Sequence, residues 1–128
     1  LPDCGAACAV DGGWALPYLQ HVAGAHTNRA MGLVDDTDDD VITLFFGLGQ
    51  SDCAGSTPLP GSVFAAGLLD IRAQMASYPN FGLFDFVGTD HTSLEGPTFD
   101  TRTAGDGGFL LTTFTADIVD GGVVNAGP

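Results

Sequence analysis

The chain has no lysine, and only three cations, Arg29, Arg72 and Arg102, stand against 16 acidic residues. A net charge of −13 repels phosphate backbones and anionic headgroups, which argues against nucleic-acid binding. We read the acidity as solubility in a secreted or salt-tolerant protein rather than as a ligand site. Long apolar runs are missing too. None reaches the ~18 residues needed to cross a bilayer. Cysteine is scarce: Cys4, Cys8 and Cys53 leave one thiol free or paired outside the chain. No second C-x-x-C accompanies them, and His21 and His26 fit no zinc spacing. A structural disulfide is the preferred reading over a metal site, and it points to an extracytoplasmic, secreted protein. The sequence opens at Leu1 rather than Met and shows no charged-then-apolar stretch there, so the chain is expected to be processed or cut from something longer.

A nucleophile elbow is also lacking. The nearest approach to G-x-S-x-G is Gly49-Gln50-Ser51-Asp52-Cys53. A cysteine replaces the last glycine, and a proline-rich loop follows where the elbow requires a closely packed helix. Ser51 therefore reads as a loop residue. Ser56, Ser62, Ser77 and Ser93 have no elbow setting either.

What is present is a hydrophobic fraction of 45% in 128 residues, enough for one modest domain with a core. Residues 1–29 form a cysteine-bearing start, its irregular first part followed by a short helix over 14–24 with Pro17 in the first turn. Residues 30–34 suit a buried strand. The run Asp35-Asp36-Thr37-Asp38-Asp39-Asp40 then leads into Val-Ile-Thr-Leu-Phe-Phe. Aspartates there favour a helix start through capping and the helix dipole, although the apolar run is also β-prone. Val63, Phe64, Leu68, Ile71 and Met75 recur at helical spacing and predict a helix over 61–78, with Pro79 beyond it. Residues 81–87 read as a second strand, and 109–119 as a last amphipathic helix. The polar, glycine-rich stretch 92–107 lies between them.

Strands joined by helical crossovers run parallel and end at one edge of their sheet. The aspartate cluster and His91 are then expected at the same rim, where open α/β sheets place their chemistry. A histidine titrates near neutrality and serves as a general base. A carboxylate on its other ring nitrogen fixes the tautomer and stabilises the imidazolium. The competing reading is a loop histidine bonded to backbone. Asp36-x-Asp38-x-Asp40 has the opening of a calcium loop, but Val41 and Gly47 stand where an EF-hand needs glycine and an acid, so EF-hand binding is disfavoured.

The segment from Met31 to Gly47, the Gly88-Thr-Asp-His-Thr92 turn and the closing helix resemble the carboxyl-terminal part of the pectinacetylesterase family, the Notum-like carboxylesterases. The resemblance implies an α/β-hydrolase fold with a Ser-Asp-His triad. It maps the histidine onto His91 and the acid onto Asp39, with Asp38 as second choice. The family's serine elbow and oxyanion glycines lie upstream of the acid, and nothing before residue 30 matches them. The expected architecture is thus the carboxyl-terminal portion of an α/β-hydrolase, a short parallel sheet flanked by helices and completed by another chain or segment that carries the serine. The expected function is ester hydrolysis, for instance of polysaccharide O-acetyl groups, with no cofactor. The alternatives are a non-enzymatic, acidic interaction module derived from a truncated hydrolase, and a self-contained hydrolase using Ser51.

Overall fold

The computed structural model describes residues 15–50, 57–92, 94, 96–105 and 108–127, with backbone alone for 48–50. The three cysteines and Ser51 lie outside the described residues, and with them the disulfide expectation and the Ser51 alternative. The elements run α1 (Ala15–Ala25), β1 (Met31–Asp36), α2 (Asp40–Gln50), α3 (Gly61–Met75), β2 (Phe81–Phe86) and α4 (Leu111–Val119). They form a mixed α/β fold around a two-stranded parallel sheet, with Met31 opposite Phe81 and Asp36 opposite Phe86.

Side chains alternate across a strand, and each face of this sheet has its own core. Phe81 and Leu83 meet Met31 and Leu33 on one face, under Ala23 of α1 and Met75 of α3. Phe84, Phe86 and Val34 occupy the other face, under Leu111, Phe114 and Ile118 of α4. The Phe84 ring lies 5.4 Å from Phe114 and 5.9 Å from Phe86, centroid to centroid. Helices on both faces are what a parallel pair requires, since neither face tolerates water.

All six residues of β2 are buried, whereas β1 is mostly half-buried. The difference has a cause. β2 pairs with β1 on one side and with the carboxyl-terminal segment on the other, where Ala126 N–H donates to Leu83 O (2.9 Å) and Asp85 N–H donates to Ala126 O (3.0 Å). The Asn125 side chain accepts from Leu83 N–H. Among the described residues, β1 has β2 as its only paired strand. At the opposite end of the sheet, the buried Asn80 Nδ2 donates to the carbonyls of Ala23, His26 and Arg29, each at 3.1 Å. It thereby ties the last turn of α1, through the Ala23 carbonyl, to the loop that leads into β1.

Three boundaries depart from the sequence reading. β1 continues through Asp35 and Asp36, so the aspartate run is divided between strand, turn and helix. α3 stops at Met75 rather than residue 78, because Pro79 disfavours helical geometry at Tyr78. Residues 109 and 110 do not open the last helix. Leu110 is extended and bridges Thr103, and Ala104 N–H donates to Phe109 O.

Candidate functional site

Beyond β1 the chain turns at Thr37 and Asp38 and enters α2. Asp39 stands just before the helix and is buried. Its Oδ1 accepts from the backbone N–H of Val41 (2.9 Å) and Ile42 (2.7 Å), the N-cap arrangement that satisfies donors at a helix start. The Asp39 carbonyl accepts from Thr43 N–H and from Thr43 Oγ1, at 2.9 and 2.7 Å. Backbone and carboxyl of Asp39 are therefore fixed by its own helix.

The other carboxyl oxygen faces His91. Asp39 Oδ2 lies 2.9 Å from His91 Nδ1. The imidazole comes from the segment after β2, which is stitched to the segment after β1: Thr37 N–H donates to Phe86 O, Asp38 N–H to Gly88 O and Asp40 N–H to Thr89 O, at 2.9–3.1 Å. The carboxyl of Asp39 is 2% exposed and the imidazole 43% exposed. The pair is thus closed on the acid side and reachable from solvent on the histidine side. An Nδ1–H that donates to Oδ2 leaves Nε2 with its lone pair, the tautomer a general base needs.

Asp38 lies elsewhere. Its carboxyl packs against Gly61 at the start of α3, and it lines an open cleft of about 370 Å³ together with Thr37, Ser62, Gly88 and Thr89. The calcium-like trio is likewise dispersed: Asp36 faces Arg102, Asp38 sits by Gly61, and Asp40 opens α2. Among the described residues, neither Ser62 nor Ser77 is hydrogen-bonded to His91.

Two features escaped the sequence reading. Asp35 has its pKa pushed up to about 7, first by burial and then by the negative charge of nearby Asp39. On the same sheet face its register partner Asp85 is ion-paired with Arg72, and burial still raises the Asp85 pKa against the pull of that guanidinium. On the opposite face Arg102 joins the fully buried Asp36 to Asp90, the residue before His91. The second feature has no local signal in the sequence. It becomes visible only once β1 is seen to run through Asp35 and Asp36: the strand then sends one carboxyl to each face, and each needs a partner or a proton.

No protein family, curated protein or solved structure matches the chain.

Proposed function

We propose that this chain is the carboxyl-terminal part of a secreted serine carboxylesterase of the pectinacetylesterase kind, an α/β-hydrolase whose nucleophile serine comes from another polypeptide or segment. The supporting observation is the 2.9 Å contact between Asp39 Oδ2 and His91 Nδ1, made by residues 52 positions apart at the carboxyl ends of neighbouring parallel strands. His91 Nε2 takes the proton of the incoming serine as its Oγ attacks the ester carbonyl. The imidazolium then protonates the leaving alcohol. In the second half, His91 activates water to hydrolyse the acyl-enzyme, and the serine is regenerated. Asp39 holds the ring and stabilises its charged form. Among the described residues β1 has one paired strand, β2, and its other side offers a place for a strand of the serine-bearing polypeptide to extend the sheet. Acetyl esters of polysaccharides are the simplest substrates.

The test is hydrolysis of a chromogenic acetyl ester by the native assembly. His91→Ala is expected to abolish turnover, and unchanged turnover would remove the role. A second reading, a non-enzymatic acidic interaction module, is favoured by the lack of a serine on His91 among the described residues. Intact mass and amino-terminal sequencing of native material separate the two: a co-purifying polypeptide with a Gly-x-Ser elbow supports the enzyme, and its absence supports the module.

A further inference from the structure

Among the described residues, the segment that carries His91 is held to the rest of the fold by backbone as far as Thr89, whose carbonyl accepts from Asp40 N–H at 3.1 Å. Asp90, His91 and Thr92 are all exposed. Past Thr89, two side-chain contacts with the fold are seen among the described residues: His91 on Asp39, and Asp90 on Arg102. The orientation of the imidazole therefore depends on what holds Asp90.

An exposed ion pair is ordinarily weak, because two long side chains must be ordered to form it. Arg102 is different, since it is already ordered. Its side chain is 13% exposed. Nη1 lies 3.3 and 3.4 Å from the two carboxyl oxygens of the buried Asp36. Nε donates to Thr98 Oγ1 at 3.0 Å. The guanidinium carbon stands 4.4 Å from the centroid of the Phe86 ring, a cation–π arrangement that fixes the plane of the fork. Only Nη2 remains to engage Asp90, so that bond orders one short side chain rather than two. The close fit extends to Gly88, where a Cβ would collide with the Asp36 carboxyl.

We propose that Arg102 is a positioning residue for His91: anchored on Asp36 and Phe86, it grips Asp90 and so keeps the imidazole on Asp39 from the face of the sheet opposite to α3. The catalytic consequence rests on the esterase reading; the effect on the ring does not. Arg102 touches neither His91 nor any reacting atom, and it acts through Asp90.

The experiment is long-range ¹H–¹⁵N correlation of the histidine side chains in the full chain at a pH where the imidazoles are neutral, with His91→Gln to assign the signal. The ring held by Asp39 is expected as the Nδ1–H tautomer. Arg102→Gln also removes the Nη1 contact to the buried Asp36, so the decisive variant is Asp90→Ala, at an exposed position. It is expected to lower the Nδ1–H population of His91 about twofold or more, toward the Nε2–H form favoured by free histidine, with the backbone amide spectrum of the two strands unchanged. Arg102→Lys, which keeps the charge and loses the fork, is expected to fall between the two. A His91 that stays Nδ1–H in Asp90→Ala overturns the proposal. That result leaves the esterase reading intact, whereas an inactive native assembly sinks the esterase reading without moving the tautomer.

Discussion

Asp39 performs two tasks with two oxygens. Oδ1 serves the first N–H groups of α2 and Oδ2 serves His91. The tasks are separable by substitution. Asp39→Asn keeps an oxygen for the cap, so its stability stays close to that of the parent, while under the proposed esterase function ester turnover is expected to fall by orders of magnitude because the amide no longer selects the right tautomer. Asp39→Ala loses the cap as well and is expected to be less stable by about 1 kcal/mol in chemical denaturation. Asp38→Asn is the control, since that carboxyl sits by Gly61 and away from the ring. Asp35 carries a pH signature of its own. Its pKa in the fold is about 7, above the ordinary 3.8, so between those values the native state binds a proton that the unfolded chain does not. The stability this group contributes is complete below about pH 4 and is lost as pH rises through about 7. Asp35→Asn is expected to match the parent near pH 4.5 and to exceed it at pH 8 by about 1–2 kcal/mol, once solvent screening of a partly exposed carboxyl is counted. Denaturant midpoints at the two pH values read this directly.

At the scale of elements, helical and strand periodicity carried most of the reading. Apolar spacing located α1, α3 and α4, and the aspartates before Val41 located the start of α2, because capping and amphipathicity are local properties. The ends of elements were less legible. Nothing local reveals that Leu110 bridges Thr103, or that Asp35 and Asp36 extend β1, since both depend on a partner distant in sequence. Packing between elements gives a paired prediction on glycines. At Gly32 of β1 a Cβ would come within 2.8 Å of the Phe114 ring of α4, so Gly32→Val overpacks that interface and is expected to cost about 1–3 kcal/mol. Gly67 in α3 has no atom within 4 Å of a built Cβ beyond its own helix. Gly67→Ala is expected to stabilise by about 0.5–1 kcal/mol. Thermal midpoints that move in opposite directions would bear out both; equal shifts would contradict the packing of α4 on β1.

For the whole molecule, charge dominates. With 16 acids and three arginines, mutual repulsion works against the folded state, and two of the arginines, Arg72 and Arg102, are spent on buried carboxyls. Raising monovalent salt from low to physiological strength is therefore expected to raise the melting temperature by a few degrees. A fall instead would mean that the two internal ion pairs outweigh the surface. Composition, charge and the order of strands and helices were set by sequence alone, because they follow from residue type and local period. So was the expectation that an acid and His91 meet at one rim, because parallel strands joined by crossovers end at the same edge. Residue type and spacing alone did not separate Asp39 from Asp38, which the resemblance ranked first and second; the physical reason that Asp39 meets the ring lies in three dimensions. Asp38 and Asp39 are neighbours in the chain, yet the turn after β1 sends one carboxyl to Gly61 and the other to His91. The Arg102 grip on Asp90 was likewise invisible in one dimension, because it joins three separate segments whose proximity exists only once α4 and the sheet have packed.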